Sequence, residues 1–352
     1  MVKRNRMIKK SAGMLLVAAL SAGMLLTGCR TNDSVTGSGS NSDAAVKDIT
    51  GLTTSDTDGS NSNVISEDIS GVNHNYPVQL LSYDKNDDNY DETDRFNWEQ
   101  DGRSYGTVEE ISYYSPTLNK MRSANVFLPK DYDKSKSYPV VYLLHGMGGD
   151  YMDYKGLDAL NIAQNAVYDY NRNDMILVSF TVFTDTDGKN ESDYGFSDLT
   201  ERYDNCENDV INALIPYINS HYSTKEGREY TAIAGYSLGG REALYLCFAH
   251  PDIFGYVGAF EPVGGVVDTS LDEIPYGNRG YLLDELVPEG KEAPLLTLIV
   301  TGEEDPYCRL SSEYYSKYMT AHSIEHIFYY RPGGHEAVVW NNGLYNFLRR
   351  VF

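Results

Sequence analysis

Residues 231 to 244 read TAIAGYSLGGREAL, and the side chain there with chemistry to offer is Ser237. An apolar run precedes it, a helix-forming run follows it, and Gly235, Gly239 and Gly240 leave room for a sharp bend. A serine on a tight strand-to-helix turn presents its hydroxyl clear of the backbone. The first amides of the helix then point at any negative charge that develops beside it. That hydroxyl is a poor nucleophile until a base takes its proton. In a chain with 31 glycines a Gly-x-Ser-x-Gly run decides nothing alone, so the partners must be found elsewhere.

The chain has seven histidines. His74 lies in a polar N-terminal stretch and His250 at the far end of the helix that Ser237 opens. His221, His322 and His326 flank helix ends among polar neighbours, where a solvated imidazole is ordinary. His145, in LLHGMGGD, reads as a structural hydrogen-bonding residue. His335 differs: in YYRPGGHEAVVW it follows a strand and two glycines, on the strand-end loop where open parallel sheets bind ligands. A third group must hold that imidazole in one tautomer and stabilise its positive form. LLTLIVTGEEDPY ends a strand on Glu303, Glu304 and Asp305 in a row. Asp305 is favoured because Pro306 fixes a turn behind it; Glu304 stays open, since spacing cannot separate adjacent carboxylates. The order Ser237, Asp305, His335 is that of an α/β-hydrolase.

LLHGMGGD is a further candidate piece. It is no phosphate loop, for no Gly-Lys-Ser/Thr follows. Its small residues suit an oxyanion loop, with the Met147 amide (or that of Gly146) facing the amide of Leu238.

The elements that must carry these residues are legible. VEEISYY and ANVFLP read as two early strands. Tyr138 to Gly146 and Met175 to Phe183 are continuous apolar runs, as for strands covered on both faces. YTAIAGY, LLTLIVTG and HIFYYRPGG add three more. Val210, Ile211, Leu214, Ile215 and Ile218 form a helical stripe that Pro216 should kink, and Trp340, Leu344, Phe347, Leu348 and Val351 form another. Alternating strands and helices imply an α/β fold, a mostly parallel central sheet with helices on both faces.

The 352 residues carry a formal net charge of −22, which argues against a nucleic-acid partner and otherwise speaks for solubility. Lys3, Arg4, Arg6, Lys9 and Lys10 precede an apolar stretch from Met14 to Leu26, the layout of an export signal and short for a bilayer span. The following LTGC resembles the lipobox of bacterial lipoproteins, in which Cys29 would become the lipid-bearing N-terminus. The expected organisation is a signal peptide over 1–28, a Ser/Gly/Asn/Asp-rich tether over 29–75, an acidic extension over 76–105 and a catalytic domain over 106–352. This places the protein outside the cell membrane, lipid-anchored or released. In the acidic stretch Asp84, Asn86 and Asp88 have the first spacings of a calcium loop, but Asn89 and Arg95 stand where it needs glycine and glutamate. Cys206, Cys247 and Cys308 are too few and too odd in number for a disulfide framework.

From GTVEEISYYSPTLNKMRSANVFLPKDYDKSKSYPVVYLLHGMGGD to the end, the chain resembles the esterases related to esterase D, and among them the feruloyl esterases of carbohydrate esterase family 1. The block around AGYSLGGREAL, the run TGEEDPY and the block GGHEAVVWNNGLYNFL match that family's nucleophile, aspartate and histidine segments. The resemblance implies Ser237, Asp305 and His335 as the triad, no cofactor or metal, and esters of plant cell-wall polysaccharide as substrate, with ferulate or acetate released from xylan. Tyr236 before the nucleophile and Leu238 after it depart from the family pattern, and the resemblance assigns no place to Glu261 in FEPVGG. Rival expectations are an acetyl xylan esterase, a siderophore-ester hydrolase or acyltransferase of the same fold, and a non-catalytic binding lipoprotein. The export signal counts against the cytoplasmic branch acting on S-formylglutathione.

Overall fold

The computed structural model describes residues 96–267 and 293–352. The signal segment, Cys29, the tether and the calcium-like residues lie outside the described residues. Eight strands form one sheet: β1 (Thr107–Ser115), β2 (Lys120–Leu128), β3 (Val140–Leu144), β4 (Ile176–Phe180), β5 (Thr231–Tyr236), β6 (Tyr256–Phe260), β7 (Leu296–Gly302) and β8 (Ile327–Arg331). Their order is β1-β2-β4-β3-β5-β6-β7-β8. β1 pairs antiparallel with β2, and β2 antiparallel with β4; every later pairing is parallel.

Two cores explain the unbroken apolar runs. Val140, Tyr142 and Leu144 of β3 enter one buried cluster, while Val141 and Leu143, on the opposite side of the pleat, enter a second. The first cluster lies under α3 (Phe196–Asp204), α4 (Cys206–Asp209), α5 (Ile215–His221), α6 (Leu238–Ala249) and α7 (Arg309–Ala321). The second lies under α2 (Ala159–Tyr170) and α8 (Ala337–Leu348); the short α1 (Asp153–Gly156) contributes Tyr154. A strand buried on both faces is mostly apolar, because each buried aliphatic side chain contributes about 1.5–3 kcal/mol and a buried polar one without a partner costs as much; small hydroxyl residues such as Ser179 of β4 and Thr297 and Thr301 of β7 are the exceptions.

The expected kink at Pro216 takes a definite form. Residues Val210–Leu214 form a π-helical turn, and Pro216 sits at the start of α5. Proline has no amide to return to the preceding turn, and the wider turn absorbs that loss. Val210, Leu214 and Ile218 are fully buried along the stripe.

The stretch 96–105, expected as the end of a solvated acidic extension, is docked on the domain. Phe96 is buried and stacks on Tyr345 of α8 with ring centroids 4.5 Å apart. The Asn165 amide of α2 donates to the carbonyls of Phe96 and Trp98, and Arg103 donates to Asn165 and Asp169. One aromatic ring and one arginine fork outweigh the polar composition around them.

The parallel register brings the C-terminal ends of β3, β5, β6, β7 and β8 to one edge, with Leu144 beside Gly235, Tyr236 beside Phe260, and Gly302 beside Arg331. Loops leaving that edge hold Met147, Ser237, Asp305 and His335, and Leu238 opens the helix after Ser237.

Candidate active site

Ser237 occupies the turn between β5 and α6 with φ 55° and ψ −123°, a conformation that side chains rarely adopt. Three hydrogen bonds hold it there. Its amide donates to the Phe260 carbonyl at 2.9 Å, and its carbonyl accepts from Arg241 at 3.1 Å and Val263 at 3.2 Å. The neighbouring glycines are sterically required. A Cβ on Gly239 would stand 2.2 Å from the Leu144 carbonyl oxygen, and one on Gly235 2.3 Å from that of Gly239. Helix α6 therefore starts against the backbone of β3, with Leu238 as its first residue.

His335 lies on the loop after β8, one residue before the cap of α8. Its Nδ1 is 3.0 Å from Asp305 Oδ2. Asp305 is buried on the loop after β7, whereas Glu304 is exposed. The other Asp305 oxygen accepts from the amides of Tyr307 at 2.7 Å and Cys308 at 3.0 Å. Burial works against ionisation here, but the bonds from His335 and the two amides prevail and hold the carboxyl below its ordinary range. This geometry selects Asp305 over Glu304. Spacing could not.

Ser237 joins this pair through Cys308. The buried Cys308 thiol interacts with the Ser237 side chain, and its sulfur lies within 4.8 Å of the ligating atoms of Asp305 and His335. Such a trio could in principle span a metal ion. Two of its donors are engaged with each other, however, and burial pushes the Cys308 thiol well up, so the thiolate a metal would want is disfavoured. Cys206, Cys247 and Cys308 are all free and buried.

The loop after β3 closes over Ser237: a Cβ on Gly146 would come within 2.9 Å of Ser237 Cβ. His145 is fully buried and neutral, since burial pushes its pKa down; its Nε2 accepts from the Val182 amide at 2.8 Å and its Nδ1 faces the Gly146 carbonyl at 2.6 Å. The Tyr203 hydroxyl lies 3.0 Å from that carbonyl, and the Gly148 amide donates to Glu191 at 2.6 Å. With the loop pinned on both sides of it, the Met147 amide is left without a hydrogen-bond partner among the described residues, one residue beyond the glycine that meets Ser237.

Glu261 is the residue that sequence reasoning left unplaced. It follows β6 directly, is fully buried, and has φ 50°. Its Oε1 accepts from the Gly302 amide at 2.9 Å and its Oε2 from the Trp340 indole at 2.6 Å, while Oε2 lies 3.4 Å from His335 Nδ1. Burial and the adjacent Asp305 charge push its pKa up to about 9. The available signal was its place at the end of a strand on the edge that carries the other three. Trp340 meets the imidazole edge-on at 5.5 Å and stacks on Tyr236 at 4.1 Å. Tyr307 covers another side of His335 at 5.8 Å while 59% exposed, and Met147 is 43% exposed.

Comparison with known proteins points one way. A family model described as "Putative esterase" matches residues 115–350. The chain is 30% identical over 163 residues to an endo-1,4-beta-xylanase/feruloyl esterase of Xylanibacter ruminicola, covering 44% of this chain and 21% of that one. It is 28% identical over 160 residues to endo-1,4-beta-xylanase Y of Acetivibrio thermocellus, covering 42% of this chain and 13% of that one. The chain thus spans about a fifth or less of these relatives' length. Among solved structures, a CE1 ferulic acid esterase from Anaeromyces mucronatus in complex with ferulic acid superposes with a TM-score of 0.67 at 33% identity, covering 74% of this chain and 95% of that one.

Proposed function

The chain belongs to this esterase family, and on that premise we propose that it is a serine carboxylic-ester hydrolase that releases ferulate from feruloylated arabinoxylan. The observation that carries the reading is the Asp305–His335 hydrogen bond, assembled on the sheet edge where the strained Ser237 turn lies.

In the proposed reaction Ser237 Oγ attacks the ester carbonyl as His335 takes its proton. The Leu238 and Met147 amides receive the oxyanion. Collapse of the tetrahedral intermediate breaks the C–O bond, and the imidazolium returns its proton to the departing sugar alcohol. Water, deprotonated by the same imidazole, then attacks the acyl-serine and frees the acid. Asp305 stabilises the imidazolium at both stages.

Support for an aromatic acyl group comes from the exposed Tyr307 ring beside His335 and from the ferulic acid bound by the Anaeromyces relative. Stacking of a phenolic ring on Tyr307 is worth about 1 kcal/mol. Tyr307→Ala should therefore raise KM for methyl ferulate by about fivefold and leave KM for p-nitrophenyl acetate nearly unchanged. We also propose that Cys29 carries the lipid anchor and holds the enzyme on the outer side of the membrane; loss of radiolabelled palmitate incorporation in Cys29→Ser cells is the corresponding test.

The deciding experiment compares acid release from methyl ferulate, p-nitrophenyl acetate and feruloylated arabinoxylan by the wild-type protein and by Ser237→Ala. Ferulate release that disappears in the variant supports the proposal. Acetate release alone moves the substrate to acetylated xylan, and no turnover of any ester by folded wild type removes the hydrolase reading.

A further inference from the structure

Two carboxyl groups, not one, stand behind the imidazole. Asp305 Oδ2 is 3.0 Å from His335 Nδ1 and Glu261 Oε2 is 3.4 Å from the same nitrogen. Glu261 reaches it from the end of β6 and Asp305 from the end of β7, so neither position depends on the other. The fold commits several features to the glutamate. Its side chain is fully buried and fastened at both oxygens, by the Gly302 amide and the Trp340 indole. Its backbone holds a left-handed conformation that a non-glycine residue adopts at a cost. Gly302 makes room for it: a Cβ there would lie 2.7 Å from Glu261 Oε1. Two adjacent buried carboxyls do not both ionise, because the second charge would be neither solvated nor paired.

We propose that Glu261 and Asp305 form a two-carboxyl unit with a single negative charge, in which Asp305 is the charged member and Glu261, protonated, is a positioning residue able to take over the contact with His335 when Asp305 is removed. The titratable groups facing Glu261 are Asp305, His335 and Cys308, from the loops after β7 and β8 and the start of α7. With Asp305 charged and accepting from His335 Nδ1, and Cys308 a thiol, a second carboxylate would have no partner, and the proton stays on the glutamate. Removing Asp305 removes the opposing charge, and Glu261 then ionises beside Nδ1.

This inference rests on the serine-hydrolase reading, and its test is a mutant cycle with two readouts: kcat for p-nitrophenyl acetate and the rate at which a fluorophosphonate probe labels Ser237. The second needs an activated serine but no ester turnover, so a protein that labels without hydrolysing esters fails the esterase reading and still tests the glutamate. Glu261→Gln alone should lower both rates by only about three- to tenfold, because the amide keeps a donor towards Asp305. In an Asp305→Ala background, Glu261→Gln should lower the residual rates by a further hundredfold. Equal factors in the two backgrounds would mean a merely structural glutamate and overturn the proposal. So would a loss of a thousandfold or more for Glu261→Gln alone, which would make Glu261 the charged acid. Thermal melting of each variant separates loss of fold from loss of rate.

Discussion

Asp305 and Glu304 are neighbours in the chain and opposites in the fold, one buried against an imidazole and the other in water. The difference can be measured. Asp305→Asn should lower kcat by about 10²-fold, less than the loss of about 10⁴ expected of a triad with one acid, since the asparagine amide presents a donor where Nδ1 needs an acceptor while Glu261 supplies a second carboxylate. Glu304→Gln should leave kcat within about twofold, as for an exposed surface charge. Ser237 and His335 could be singled out as candidates because each has a local marker, a glycine-flanked turn or a strand running into two glycines. Asp305 was favoured from the proline behind it and from the family resemblance, with Glu304 left open; what sets the two apart in the fold is the bond to His335 and the Tyr307 and Cys308 amides, which no spacing rule supplies. Glu261 was not legible. Its partners are Gly302, Asp305, His335 and Trp340, all far along the chain, and a glutamate after an apolar strand otherwise looks like an ordinary solvated strand end.

Among the elements, the β5–α6 turn holds its serine at a positive φ. Ser237→Gly removes the Cβ penalty at φ 55° and should stabilise the domain by about 1 kcal/mol while abolishing turnover. Differential scanning calorimetry beside an activity assay reads both. Gly239→Ala does the reverse, forcing a methyl group to 2.2 Å from the Leu144 carbonyl oxygen; it should cost at least about 2 kcal/mol and disturb the nucleophile. Unbroken apolar strands with amphipathic helices between them made this scaffold readable, because burial on both faces leaves a compositional mark. Strand order left no such mark. The π-helical turn before Pro216 was foreseen only as a kink, since the proline removes a hydrogen bond without dictating how the helix recovers.

At the scale of the whole molecule, the buried carboxyls tie stability to pH. Unfolded, Glu261 titrates near 4.5; folded, it keeps its proton up to about 9. Between those values the unfolded chain has released a proton that the native state retains, so this group makes stability fall as pH rises, by at most about 1.4 kcal/mol per pH unit. Asp305 acts with the opposite sign: its folded pKa is lowered, so its stabilising contribution is present above its unfolded value of 3.8 and is lost as pH falls through the folded one. Glu261→Gln should therefore melt progressively higher than wild type as pH goes from 5 to 9. A constant difference would indicate an ionised glutamate. Truncation tests the docked segment in the same way: a chain starting at residue 106 should be less stable than one starting at 96 by about 3 kcal/mol, the order expected for losing a buried phenylalanine. That segment also has a mechanical meaning. Tension that reaches residue 96 meets the Phe96–Tyr345 stack and the Asn165 and Arg103 bonds before it meets β1. The clasp can yield under tension and pay out about ten residues of slack while the sheet edge that carries Ser237 stays intact.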